Sequence, residues 1–280
     1  MPELPEVETI RRGLHAATRG QKIVSAHLRR GDLRRRAEAG MARKLCGLAI
    51  ESVDRRAKYL IFRFAGSAGV MLAHLGMSGR FLFFPKGTGG GEGKHDHLVM
   101  ELEGGGRMVF SDPRRFGFVE WVAGGALSRH PALVHLGPEP MEKEFTPAAL
   151  AAALAGGRAP VKTALLDQRR IAGLGNIYIC EALFRAAISP FRAAGSLGKA
   201  EVRRLHAAIR AVLSDAIAAG GSSLRDYVHA DGSVGRFQEN FSVYGREGAP
   251  CSRCHSRRKG VIARDVQAGR STFYCPRCQE

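Results

Sequence analysis

Leu4, Val7, Ile10 and Leu14 recur at spacings of three, three and four residues, which puts them on one face of a helix over Met1–His15. Gly13 weakens the end of that helix. From Lys22 to Phe118 the pattern changes to short apolar runs, among them Tyr59–Phe64, Val70–Leu75, Leu98–Leu102 and Met108–Phe110, parted by glycine turns. Short strands broken at that frequency predict a sandwich or barrel rather than a parallel sheet with crossover helices. Lys86–Gly93, with five glycines, reads as a poorly ordered loop. The strand pattern fades after Trp121, and Arg129–Pro140, with three prolines, reads as the connection to a second module. The continuation is helical. Helices are expected at Ala148–Leu154, Lys162–Asp167 and Ile177–Ala186. A longer one is expected over Lys199–Ala219, where Val202, Leu205, Ile209, Val212 and Ala216 keep helical spacing and Gly220 is the stop. The fold class is therefore α+β.

Composition narrows the partner more than the fold. At 280 residues, with 45% hydrophobic and 25% charged positions, the chain has room for two modules of ordinary size. Forty-three Lys and Arg against 26 Asp and Glu leave a formal charge of +17, which predicts a polyanionic partner, nucleic acid foremost and an anionic membrane surface second. No apolar stretch approaches the roughly 18 residues of a spanning helix, and no basic-then-apolar leader opens the chain, so the expected location is the cytoplasm.

Four of the six cysteines crowd into the last 30 residues as Cys251-x2-Cys254 and Cys275-x2-Cys278, 20 residues apart. That spacing matches a tetrahedral four-thiolate zinc site, closed to water and so structural. One structural zinc ion per chain is expected, holding a two-stranded ribbon in which Val261, Ile262, Val266 and Phe273 alternate with Arg257, Arg258, Arg264 and Arg270. His255 reads as a bystander to the four thiolates, and Cys46 and Cys180 as core residues.

Pro2 and Glu3 admit two readings. By spacing alone, proline favours a helix start and Glu3, Glu6 and Glu8 suit the positive end of its dipole. The chemical alternative begins with removal of Met1, usual before a small second residue. Pro2 then carries a secondary amine titrating near pH 8, a competent nucleophile at neutral pH, with Glu3 beside it as acid or base.

The whole opening, Met1-Pro2-Glu3-Leu4-Pro5-Glu6-Val7-Glu8-Thr9, resembles the start of bacterial formamidopyrimidine-DNA glycosylases. Arg55-Arg56-Ala57-Lys58-Tyr59-Leu60, His74-Leu75-Gly76-Met77-Ser78-Gly79, Lys94-His95-Asp96-His97 and Asp112-Pro113-Arg114-Arg115-Phe116-Gly117 are similar to further motifs of that family, in the family's order. So are Gly173-Leu174-Gly175-Asn176-Ile177-Tyr178, Val243-Tyr244-Gly245-Arg246 and Thr272-Phe273-Tyr274-Cys275. The resemblance implies an N-terminal helix plus β-sandwich over 1–130, a linker over 131–147, a helix-two-turns-helix DNA-binding module over 148–245 and a zinc finger over 246–280.

It also implies a base-excision repair enzyme that removes oxidised purines such as 8-oxoguanine and formamidopyrimidines from double-stranded DNA, and also acts on abasic sites. Pro2 would form a Schiff base with the sugar, and β,δ-elimination would cut the strand without a redox cofactor. Matched residue by residue, Glu3 is the general acid, Lys58 a proton donor, Arg270 the finger residue of the δ step and Glu6 a supporting carboxylate. His95, Arg114, Arg158 and Asn176 match DNA contacts. Met77, Arg114 and Phe116 match the set that fills the duplex when the damaged nucleotide is flipped out, though Met77 and Phe116 taken alone read as core. Gly220–Tyr227 resembles the opening of the damaged-base loop, and the family implies a monomer. An endonuclease VIII-like enzyme acting on oxidised pyrimidines and a non-catalytic zinc-ribbon DNA binder are the competing readings. Leu4 and the Met77, Arg114 and Phe116 set favour the purine enzyme over the first, and the joint presence of Pro2, Glu3 and Lys58 opposes the second.

The charge predicts that affinity for undamaged duplex DNA falls steeply and log-linearly with salt concentration, and a flat salt titration would contradict it.

Overall fold

The computed structural model describes residues 2–38, 40–67, 69–88, 93–223, 228–254 and 260–280. The expected loop at Lys86–Gly93 falls largely on residues 89–92, outside the described residues, as do His255, Arg257 and Arg258 and the end of the Gly220–Tyr227 segment. The chain divides into two compact units, one made of Met1–Val134 with Ala219–Arg236 and the other of His135–Ala218 with Phe237–Glu280.

The first unit opens with helix α1 (Leu4–Thr18), whose Leu4, Val7, Ile10 and Leu14 are all fully buried. The helix runs three residues past the expected end because Gly13 lies inside it. A Cβ there would meet the Ala230 Cβ at 3.3 Å, so the missing side chain serves close packing rather than a stop. Strands β1 (Ile23–Leu28), β6 (Asp96–Leu102), β7 (Arg107–Ser111) and β5 (Arg80–Phe84) form one sheet in the order β1-β6-β7-β5. Strands β2 (Ile50–Arg56), β3 (Tyr59–Phe64), β4 (Val70–His74) and β8 (Phe118–Val122) form a second in the order β2-β3-β4-β8, and a short helix α2 (Met41–Leu45) follows β1. All neighbouring strands are antiparallel. The aromatic contacts Phe62–Phe81 at 5.2 Å and Phe81–Phe110 at 5.0 Å join residues of both sheets in one core, as in a sandwich.

The second unit carries helices α3 (Pro147–Leu154), α4 (Val161–Leu166), α5 (Asn176–Ala186) and α6 (Lys199–Ala218), each within a residue of its sequence expectation. Thr146 caps α3 by accepting the Ala149 N–H at 3.1 Å. Strands β9 (Ala263–Gln267) and β10 (Arg270–Tyr274) pair as the expected antiparallel ribbon. Its apolar positions are split, however. Ile262 and Phe273 are buried, while Val261 and Val266 are exposed, because a two-stranded ribbon covers one face.

Within this unit Glu181 is fully buried on α5, and its carboxylate accepts the N–H groups of Ser242 at 2.9 Å, Val243 at 3.0 Å and Tyr244 at 2.9 Å. Three backbone donors thus converge on one side chain and fix the Val243–Arg246 motif to the helix. Replacing Glu181 with Ala strands those donors, and we expect a loss of roughly 3 kcal/mol of stability in urea unfolding. A change within 0.5 kcal/mol would contradict this account of the segment.

Candidate active site

Pro2 and Glu3 are buried at the start of α1, with Glu3 in extended backbone and 3% exposed. The Glu3 N–H donates to Glu6 Oε2 at 2.8 Å, and Glu6 Oε1 accepts both the N–H and the hydroxyl of Ser222, at 2.8 and 3.0 Å. One carboxylate therefore ties the chain's N-terminus to the Ala219–Arg236 return. Gly221 permits the approach, because its φ of +77° lies in the left-handed region and a Cβ would sit 3.0 Å from Glu6 Oε1.

Lys58, 6% exposed, lies in the two-residue turn between β2 and β3, where Ala57 adopts a φ of 52°. The turn is braced from α1. Glu8 accepts from Arg11 at 3.0 Å, Arg12 at 2.8 Å and Arg55 at 3.0 Å, and Arg55 Nη1 reaches on to the Ala57 carbonyl at 2.9 Å. Burial alone would raise the Glu8 pKa, but the hydrogen bonds from the three arginines outweigh it and hold the carboxyl below its ordinary 4.5.

Strand register puts His74 opposite Tyr59, and the rings approach to 4.8 Å. His74 Nδ1 accepts the Gly76 N–H at 3.0 Å, so the ring proton belongs on Nε2. Burial first, and then the charges of Lys58, Arg34 and Arg35, depress its pKa to about 4. Sequence reasoning gave His74 no role of its own. The available signal was a histidine two residues before a glycine turn in the quoted motif.

Met77 and Phe116 are 39% and 42% exposed, so the core reading of these two side chains does not hold. Arg114, also exposed, sets its guanidinium 4.8 Å over the Phe116 ring. The three face a cavity of about 660 Å³, lined as well by Asp32, Leu33 and Arg34. His95 is half-buried in the turn before β6, and its carbonyl accepts the Asp112 N–H at 3.0 Å.

In the second unit Asn176 is the first residue of α5, and its Nδ2 donates to the Ser271 carbonyl at 2.8 Å while its buried Oδ1 meets no hydrogen-bond partner among the described residues. Lys162, fully buried, sends Nζ to the same carbonyl at 3.0 Å and to Thr272 Oγ1 at 2.8 Å. Burial, reinforced by Arg270, lowers its pKa, with Cys180 acting in the opposite sense. Two helices thus grip the backbone next to Arg270, the exposed first residue of β10. Arg158 is exposed in the connection between α3 and α4.

The four Sγ atoms of Cys251, Cys254, Cys275 and Cys278 lie within 4.8 Å of one another, with Cys251–Cys278 at 3.7 Å and Cys254–Cys275 at 3.6 Å. A tetrahedral ion with metal–sulfur bonds of about 2.3 Å needs sulfurs roughly 3.8 Å apart, so the cluster fits a metal ion. Gly260 leaves room for it, since a Cβ would fall 2.7 Å from Cys254 Sγ. Of the remaining cysteines, Cys180 is buried as expected. Cys46 is exposed, a correction explained by its place at the C-terminal end of the short helix α2.

Residues 1–119 match the formamidopyrimidine-DNA glycosylase N-terminal domain, and residues 136–228 match the formamidopyrimidine-DNA glycosylase H2TH domain. The chain is 52% identical over 285 residues to the formamidopyrimidine-DNA glycosylase of Cereibacter sphaeroides and 50% identical over 286 residues to that of Paracoccus denitrificans, with all of each chain covered. The chain belongs to the formamidopyrimidine-DNA glycosylase family. Among solved structures, a mutant Lactococcus lactis FPG in complex with a Fapy-dG containing DNA superposes with a TM-score of 0.89 at 34% identity over 100% of both chains. The MutM (FPG) protein of Thermus thermophilus gives 0.86 at 42% identity, covering 99% of this chain and 98% of that one. The fold described here is thus that of the formamidopyrimidine-DNA glycosylases.

The His74 environment has a pH signature. The unfolded ring takes a proton near pH 6.5 and the folded ring near 4, so acidification through that window draws stability from the fold. We expect the His74 ring resonances to stay in the neutral form from pH 8 to 5, and a titration midpoint near 6.5 would refute the assigned environment.

Proposed function

We propose that this base-excision repair glycosylase removes oxidised purines, 8-oxoguanine and formamidopyrimidines, through a covalent link to Pro2. The observation that carries the reading is the N-terminus itself. Pro2 and Glu3 are drawn into the protein at a helix start, fastened by Glu6, in a unit that also buries Lys58. Once Met1 is removed, the free secondary amine attacks the sugar carbon bearing the damaged base. Glu3 supplies the proton that the sugar needs as its bond to the base breaks, and a Schiff base results. The iminium acidifies the neighbouring carbon. Loss of its proton expels the 3′ phosphate, and a second elimination releases the 5′ phosphate, with Lys58 donating a proton and Arg270 serving the second step.

His95, Arg114, Arg158 and Asn176 bind the DNA, in keeping with the +17 charge, and Asn176 offers a helix N-terminus to phosphate. Met77, Arg114 and Phe116 fill the space left by the flipped nucleotide. Cys251, Cys254, Cys275 and Cys278 hold one zinc ion, which stabilises the finger that carries Arg270. The working division is a catalytic portion over 1–130, a DNA-binding helical portion over 148–245 and the finger over 246–280. No helix among the described residues is long and apolar enough to cross a membrane. Chromosomal DNA as substrate places the protein in the cytoplasm.

Borohydride trapping on a duplex with a single 8-oxoguanine opposite cytosine tests the reading. Wild-type protein with Met1 shown removed should give a covalent complex, and Pro2→Gly should lose it. No complex from the processed wild type would overturn the mechanism, and faster cutting of a thymine-glycol duplex would overturn the substrate class.

A further inference from the structure

A buried carboxylate lies behind the exposed Met77, Arg114 and Phe116. Asp112 is 0% exposed. Its Oδ1 accepts the Ser78 hydroxyl at 2.6 Å and the Arg114 N–H at 3.3 Å, and its Oδ2 accepts the Gly117 N–H at 2.7 Å. Ser78 Oγ also accepts the Arg114 N–H, at 3.2 Å. The main chain of Asp112 is held in turn. Its N–H donates to the His95 carbonyl at 3.0 Å, and its carbonyl accepts the Arg115 N–H at 3.3 Å and His97 Nε2 at 2.8 Å. His97 is buried beside Phe110, and among the described residues the Asp112 carbonyl is the hydrogen-bond partner of its ring.

The side-chain donors to Asp112 come from two turns that β-strands separate. Ser78 belongs to the Gly76–Ser78 turn between β4 and β5, whereas Arg114 and Gly117 belong to the connection from β7 to β8. The two backbones touch. A Cβ on Gly76, whose φ is +62°, would fall 2.3 Å from the Phe116 carbonyl carbon, and one on Gly117 would fall 2.6 Å from the His74 carbonyl oxygen. Between them Arg115 holds a φ of 58°, a conformation non-glycine residues rarely adopt, and pairs with Asp32 at 2.7 Å. A carboxylate taken out of water must be met by donors, and every side-chain donor found here belongs to one of the two turns.

We propose that Asp112 is a positioning residue that locks the two turns into one preassembled wedge, presenting Met77, Arg114 and Phe116 in fixed mutual geometry before DNA is bound. The inference rests on the reading of those three side chains as the set that fills the duplex. A wedge assembled in advance spares the ordering of two loops at the moment the nucleotide leaves the stack, when unstacking already opposes the step. Asn in place of Asp112 keeps the shape but must turn an NH₂ toward Ser78 and Arg114 or toward Gly117. It therefore cannot accept all three bonds, and loses either the one from Gly117 or those from Ser78 and Arg114.

The test compares wild type, Asp112→Asn, Ser78→Ala and Phe116→Ala on three substrates: a duplex with 8-oxoguanine opposite cytosine, a single-stranded oligonucleotide with an abasic site, and a duplex with 2-aminopurine opposite an abasic-site analogue. The single strand has no stack to refill, so borohydride trapping on it reports the Pro2 chemistry alone. We expect Asp112→Asn to lower single-turnover cutting of the lesion duplex at least tenfold and to reduce the 2-aminopurine response, while trapping on the single strand stays within twofold. Ser78→Ala should move both duplex readouts the same way by a smaller factor, and it carries the test if Asp112→Asn does not fold. Equal losses on duplex and single strand, or no loss on the duplex, would overturn the proposal. A Phe116→Ala protein that still gives the full 2-aminopurine response would instead sink the wedge reading beneath it, and a wild type unable to cut the lesion duplex would sink the proposed function.

Discussion

A carboxylate buried in protein has to collect hydrogen-bond donors, and among the described residues Glu6, Asp112 and Glu181 do so largely with backbone N–H groups. Glu6 gathers Glu3 and Ser222, Asp112 gathers Arg114 and Gly117, and Glu181 gathers Ser242, Val243 and Tyr244. Glu6 and Glu181 fasten irregular segments to helices, and Asp112 fastens two turns to each other. In a protein of net charge +17 the acids are the scarcer charged class, and the buried ones do work that no surface ion pair could do. Irregular segments carry the side chains proposed to react and to face DNA, so their geometry is inherited from these acids.

The same logic separates the residues proposed to meet the substrate from those that hold them in place. Lys58 stands in a turn whose carbonyl is gripped by Arg55, itself held by Glu8 of α1. Arg270 opens a strand whose next carbonyl is gripped by both Lys162 and Asn176. A basic chain poses a particular difficulty here, because cations set near one another repel. Buried Lys162 and neutral His74 show how the fold answers it, with desolvation pressing both toward their uncharged forms.

Much of the architecture was legible because it rests on local periodicity. The helical faces of α1 and α6 and the glycine-parted strands follow from spacing, and four cysteines at fixed intervals need no tertiary information. What escaped depends on contacts between residues far apart in sequence. Gly13 read as a helix weakener, whereas Ala230 makes it a packing position. Met77 and Phe116 look like core residues by type, and their exposure comes from turns pinned by Asp112. Cys46 reads as core by residue type, yet it caps the C-terminal end of α2 and meets solvent. His74 sat inside a quoted motif, but its neutral ring is a product of strand register.

The link between Glu6 and Ser222 spans 216 residues of chain. During synthesis the ribosome must deliver nearly four-fifths of the polypeptide before the first helix can meet the segment that completes its surroundings. The sandwich core can collapse early from its own hairpins, whereas the neighbourhood of Pro2 closes late, after the helical module has been made. A nascent or truncated chain ending before Ala219 therefore exposes its N-terminal amine without the framework that aims it. On the proposed mechanism, reactivity toward a sugar carbon arises in the finished protein, with the last long-range closure acting as a built-in check on completeness.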